Sequence, residues 1–233
     1  MCMRTAVLFD LDGTLVDTER DNVESVVLAL RGWNVELDAA ERHFVVGHSW
    51  NEIYAMLCRN HGLQVGMDEV IARAVDEKRR LLAHKGYQPL PGVREAINRL
   101  GRRAELAVVS GASRVEVREA IEGLGMVADF RFLLGAEDYS RGKPDPEPYL
   151  TAMKLLGVAP AACLVVEDAE PGILSGRAAG ASVIAVRAAN YLGYDQSAAH
   201  VVLDTLNDLT DEICDRLLAQ SKSIAATWPP KTQ

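Results

Sequence analysis

The chain has 233 residues, 48% of them hydrophobic, enough to bury a core without staples and to form one domain or two. Its net charge of −8 argues against a nucleic-acid backbone or an anionic membrane as the main partner, while a local cluster of cations still admits a small anionic substrate. Cys2, Cys58, Cys163 and Cys214 are scattered, with no Cys-x-x-Cys and no histidine at zinc spacing, and no run is apolar enough to span a bilayer or serve as a signal peptide. A cytoplasmic protein, monomeric or weakly dimeric, is expected.

Ala6-Val7-Leu8-Phe9 predicts a short buried parallel strand that ends abruptly in acids, Asp10 and Asp12. Strand side chains two apart point the same way, and Gly13 then lets the backbone turn. Two acids side by side repel, and a cation or a shared proton relieves them. A helix N-cap would use only one of the two.

From Thr18 to Gln88 no strand is expected. Val23, Val26, Val27 and Leu30 keep helical spacing, as do Ile53, Met56 and Leu57, then Val70, Ile71, Ala74 and Val75. Such an insert far exceeds an ordinary crossover connection, so residues 17–89 are expected to form a small helical domain. Its hinges fall near Val16-Asp17 and between Gly86 and Gly92.

Apolar runs resume at Leu106–Val109, Leu164–Val166 and Ser182–Val186, with a weaker one at His200–Leu203. Helical patterns separate them. One starts at Asp145 as N-cap with Pro146 at the first helical position, carries Tyr149, Met153, Leu155 and Leu156, and stops at Gly157. Alternating strand and helix predicts an α/β fold, a Rossmann-like parallel sheet covered on both faces, built from residues 1–16 and 90–220. Residues 221–233, with Pro229-Pro230, lose the apolar pattern and are expected to be loosely held.

The later strands also end in chemistry. Leu106–Val109 runs into Ser110-Gly111-Ala112-Ser113, where a hydroxyl and backbone N–H groups can meet a phosphate oxygen, or Ser113 can simply cap the next helix. Lys143 sits in Arg141-Gly142-Lys143-Pro144-Asp145-Pro146, a bent loop just ahead of a helix. Val165-Val166-Glu167-Asp168 repeats the opening pattern, a buried strand ending in two acids. Asp138 reads as a loop or cap residue.

In order, these segments resemble the four motifs of the haloacid dehalogenase superfamily: Asp-x-Asp-Gly-Thr, an apolar strand ending in Ser or Thr, Lys-Pro-x-Pro, and Glu-Asp after a strand. The helical insert resembles the cap placed after the first motif, which closes over the acidic crevice. The resemblance runs from Val7 to about Asp208 and implies a magnesium-dependent reaction on a small phosphorylated metabolite. It implies Asp10 as nucleophile and metal ligand, and Asp12 as general acid and base whose backbone carbonyl also ligates the metal. Ser110 and Gly111 would hold phosphate, and Lys143 would bridge nucleophile and phosphate. Asp168 would ligate magnesium directly, and Glu167 either ligates or holds a coordinated water. Magnesium, a hard cation, suits such oxygen donors.

Within that superfamily the chain resembles sugar-phosphate phosphatases and beta-phosphoglucomutase-like proteins. Val45-Val46-Gly47-His48-Ser49-Trp50-Asn51-Glu52 resembles their cap loop, which makes Gly47, His48 and Trp50 substrate-contact candidates. The mutases carry an arginine where Trp50 stands, and an indole cannot replace its bidentate phosphate contact. Arg73, Lys78 or Arg79 remain as other cap cations. The expected activity is hydrolysis of a small phosphate monoester, a sugar phosphate first, through an aspartyl-phosphate. The alternatives are a phosphomutase and a phosphate-binding module without turnover.

Overall fold

The computed structural model describes residues 5–45, 48, 50–191 and 193–227. The chain divides into two compact units, residues 1–16 with 88–233, and Asp17–Tyr87.

The first unit is built on a six-stranded, wholly parallel sheet. The strands are β1 (Ala6–Phe9), β2 (Glu105–Val109), β3 (Leu133–Leu134), β4 (Cys163–Glu167), β5 (Ser182–Val186) and β6 (Val201–Leu203), in the order β3-β2-β1-β4-β5-β6. β1 is central, with Leu8 level with Ala107 on one side and with Val165 on the other. The order reverses between β1 and β4, the place where open α/β sheets form a crevice at their carboxyl ends.

β1, β4 and β5 are buried along their whole length, as the continuous apolar runs require of strands covered on both faces. One face packs Leu8, Ala107, Val109, Val165 and Val183 against Tyr149, Met153 and Ile173 of the helices. β3 was not anticipated. It has two residues, too few for an alternating or continuous apolar signature, and is defined by its pairing with Val108 and Val109.

The second unit holds α1 (Glu19–Arg31), α2 (Ala39–Val45), α3 (Trp50–His61) and α4 (Met67–Lys85). It has its own core, in which Val26, Leu30, Ile53, Met56, Leu57, Val70 and Ala74 are buried. Val75, expected on the same stripe, is 40% exposed, because Val70 and Ala74 already complete the buried face of α4. Gln88 and Pro89, expected in the insert, belong to the sheet unit: Pro89 bridges Val16, and Leu90 N donates to Leu15 O.

The sheet unit adds α5 (Val93–Leu100), α6 (Arg114–Gly123), α7 (Glu147–Leu156), α8 (Glu170–Ala178) and α9 (Asp211–Thr227). α7 starts one residue later than expected. Pro146 takes the cap position, and Asp145 still caps from one residue back, its Oδ1 accepting from Glu147 N at 2.9 Å. Gly157 ends the helix in the left-handed region, as expected. α9 runs on into the segment where the apolar pattern is lost, through Ser221 to Thr227, with Ser221 Oγ 2.6 Å from Ser182 Oγ. Lys222, Ala225 and Ala226 favour helix, and the breaking prolines come only at Pro229-Pro230, which lie outside the described residues.

Leu57 is fully buried in the helical unit. Leu57→Ala should therefore cost about 2–5 kcal/mol in urea unfolding. A loss below about 0.5 kcal/mol, typical of a surface change, would contradict the core described here.

Candidate active site

Asp10 immediately follows β1, and its N–H donates to Val166 O, extending the β1–β4 ladder by one residue. The chain then folds back on itself, with Gly13 N donating to Val16 O at 2.8 Å and Leu15 N to Leu11 O. Gly13 has φ +76°, and a Cβ there would lie 2.1 Å from Asp168 Oδ2. Glycine is therefore required twice over, by the turn and by the close approach of the carboxylate.

β4 delivers Glu167 and Asp168 beside Asp10. One oxygen from each of these three buried carboxylates lies within 4.8 Å of the others. Gly172, at the start of α8, leaves room for Glu167, since a Cβ there would fall 1.8 Å from Oε1. The Asp168 loop is held from behind by Gln196, whose Nε2 donates to Asp168 O at 2.6 Å and to Val186 O at 2.8 Å.

Lys143 supplies the compensating charge. Its Nζ donates to Asp10 Oδ1 at 2.5 Å, Glu167 Oε1 at 2.6 Å and Val109 O at 3.0 Å. The loop carrying it is pinned at several points, and the Lys143–Pro144 peptide is cis. Glu147 accepts from the backbone N–H groups of Ser140 and Arg141, Ser175 Oγ donates to Asp145 O, and Tyr139 Oη donates to Ser110 O. Burial alone would pull the Lys143 ammonium down, but the carboxylates of Asp10 and Glu167 outweigh it and push its pKa well up.

The carboxylates respond in the opposite sense. Burial raises Asp10 well above the usual range, Glu167 and Asp12 raise it further, and Lys143 opposes them. Burial likewise raises Asp168, with Asp10 and Glu167 adding to it. Carboxylates so placed demand a proton or another cation, and an all-oxygen, acidic donor set fits a hard divalent ion such as magnesium.

Ser110 follows β2 and is fully buried. Its Oγ accepts from Ala112 N at 3.0 Å and reaches Asp12 Oδ2 at 3.4 Å. Ser113 separately caps α6 in a capping box with Glu116, the second of the two roles that the stretch allowed. Gly111 is exposed, with open space where a Cβ would stand. Asp138 accepts from Gly135 N and pairs with Arg114, a loop role as expected.

The sheet unit thus brings Asp10, Asp12, Ser110, Lys143, Glu167 and Asp168 together. Asp12 lies beside Ser110 and raises the pKa values of Asp10 and Asp168. The insert candidates belong to the other unit. Gly47 lies outside the described residues, His48 is exposed and stacks on Phe44 with centroids 3.8 Å apart, and Trp50 packs against the helical core. Arg73 lies over Trp33 at 5.0 Å, and Arg79 is 3.8 Å from Asp76. Two residues around the carboxylates were not anticipated, Gln196 and the Tyr149 hydroxyl, which donates to Glu167 Oε1 at 2.5 Å. Burial pushes that phenol's pKa well up.

Residues 7–186 match the model of the haloacid dehalogenase-like hydrolases. Hexitol phosphatase A of Escherichia coli is 34% identical over 196 residues, covering 78% of this chain and 82% of that protein. A bifunctional riboflavin kinase/FMN phosphatase of Arabidopsis thaliana is 30% identical over 218 residues, which cover 89% of this chain and 55% of that longer protein. Among solved structures, a candidate beta-phosphoglucomutase of Thermotoga maritima superposes with a TM-score of 0.77 at 24% identity, covering 94% of this chain and 99% of that one. Three strand-end motifs, a lysine loop that meets two of them and a family match across the sheet thus agree: the chain is an enzyme of the haloacid dehalogenase-like hydrolase family.

Proposed function

We propose that the protein is a magnesium-dependent phosphatase of small phosphate monoesters, sugar phosphates first, working through an aspartyl-phosphate. The observation that carries this reading is the Asp10 carboxylate held at the end of β1 by Lys143 Nζ, with Asp12 and Ser110 beside it. A binding module would need donors for an anion, and three buried carboxylates are poorly suited to that alone.

Asp10, Asp168 and Glu167 would hold the magnesium, together with the Asp12 backbone carbonyl that the family motif implies, and the ion would neutralise phosphate charge. Glu167 is the least free of the three, with Oε1 taken by Lys143 and Tyr149 and Oε2 accepting from Asp168 N. Ser110 Oγ and the Gly111 N–H bind phosphate oxygens, and Lys143 keeps the nucleophile and the arriving phosphate from repelling each other. Asp10 forms a bond to phosphorus as the ester P–O bond breaks, and Asp12 gives its proton to the leaving alkoxide. Asp12 then takes a proton from water as that water attacks phosphorus and releases Asp10.

Hydrolysis is favoured over phosphoryl transfer between sugar positions by Trp50. It stands where the related mutases carry an arginine, and it packs into the helical core. The hexitol phosphatase and FMN phosphatase relatives favour the same outcome. Substrate choice is assigned to the helical unit, the residues around the carboxylates being those of the chemistry.

Phosphate release from a panel of sugar phosphates, FMN and phosphoglycolate should depend on magnesium and vanish in Asp10→Asn. Activity persisting in that variant would exclude Asp10 as nucleophile. Asp12→Ala should lower kcat by about 10²–10⁴-fold with KM little changed, provided that chemistry limits the rate. An unaltered kcat with a poor leaving group would remove Asp12 from the acid role. Magnesium at about 100-fold its Kd should stabilise the fold by roughly 2.7 kcal/mol, read as a rise in Tm that Asp168→Asn abolishes. A shift of equal size in Asp168→Asn would place the ion elsewhere.

A further inference from the structure

Tyr149 is fully buried on α7, where its spacing with Met153 and Leu156 gives it the look of a core residue. Its ring does pack in the sheet core. Its hydroxyl does something else. Oη donates to Glu167 Oε1 at 2.5 Å, the same oxygen that accepts from Lys143 Nζ at 2.6 Å. The ring of the same residue lies 5.1 Å from Lys143 Nζ, within the range of a cation–π contact.

Glu167 Oε1 therefore serves two donors, and Lys143 is shared between two carboxylates, Asp10 at 2.5 Å and Glu167 at 2.6 Å. The balance of that sharing decides where the ammonium stands. A carboxylate oxygen already satisfied by a neutral phenol attracts a neighbouring cation less strongly than a bare one. At neutral pH the phenol carries its proton and can only be the donor to an ionised carboxylate. Gly172 closes the other side of Glu167, so the carboxylate has little freedom to turn away.

We propose that Tyr149 is a positioning residue: by occupying Glu167 Oε1 it keeps Lys143 directed at Asp10. Its hydroxyl bonds to Glu167 and its ring lies beside Lys143, so it acts through those two residues. This rests on the phosphatase reading for its catalytic consequence, but the placement of Lys143 can be read without turnover.

Tyr149→Phe keeps the ring, its packing and its contact with the ammonium, and removes only the hydroxyl. Losing a hydrogen bond to a charged partner should lower kcat by about tenfold, with KM within about twofold of the parent. In a Glu167→Gln background the same change should add little, because the path through the carboxylate is already altered. A crystal structure of Tyr149→Phe should show Lys143 Nζ drawn toward Glu167, at about 3.5 Å or more from Asp10 Oδ1, beyond hydrogen-bonding distance. Lys143 unmoved and kcat unchanged would overturn the proposal. A variant that merely lost stability would show a lower Tm with kcat per folded molecule preserved, and would overturn it as well. Should the parent enzyme turn over no ester, the phosphatase reading fails, and the position of Lys143 in the variant still decides the role of Tyr149.

Discussion

Three carboxylates buried within 4.8 Å of one another are the constraint from which the rest of the sheet unit follows. Like charges about 4 Å apart repel by roughly 4 kcal/mol at an effective dielectric near 20, and burial adds a desolvation cost for each. Lys143 meets two of the three directly, at Asp10 and Glu167, and with all groups ionised the cluster still carries two negative charges. Burial first, and the neighbouring carboxylates after it, raise the pKa values of Asp10 and Asp168. The remaining negative charge matches a divalent ion. The site is thus an unstable arrangement as a set of side chains and a stable one as a receptor for positive charge, which a fold must hold rigidly to exploit.

Rigidity comes from adjacency in the sheet. Asp10, Ser110 and Glu167 end three neighbouring strands, β1, β2 and β4, whose registers are locked by parallel pairing along buried strands. A one-residue slip of any of these strands would swap its faces and carry its functional side chain away from the others. Behind them, Gly13 and Gly172 give up side chains so that Asp168 and Glu167 can pack against bare backbone. Gln196 ties the carbonyl of Asp168 to that of Val186, so the loops after β4 and β5 are fixed together. Each support is cheap alone. Together they prevent the carboxylates from relaxing apart.

The parts of this arrangement that were legible in the sequence are those where one strong local signal meets another. Val7-Leu8-Phe9 followed by Asp10 and Asp12, or Val165-Val166 followed by Glu167 and Asp168, puts charge where an apolar strand must end. Lys143 was legible because glycine and proline fix its loop. Tyr149 was not: at helical spacing with Met153 it looks like any core aromatic, and only the structure reveals that its hydroxyl meets Glu167. Gln196 lies in a loop with no periodicity at all, so its partners Asp168 and Val186 are matters of tertiary approach alone. β3 escaped for a related reason, since two residues carry no pattern and their strand character comes from pairing with β2. The start of α7 and the extent of α9 differ by local helix chemistry, which sequence fixes only to within a few residues.

The two units are built on separate apolar cores. The helical unit closes its own core around Leu30, Leu57 and Val70, sharing none of those residues with the sheet core. Carboxylates held at strand ends and bridged by a loop lysine have the converse property: moving any one of them disturbs the charge balance of the others. The sheet therefore holds its carboxylates in an arrangement that tolerates little change, while the insert's fold depends on its own apolar stripe.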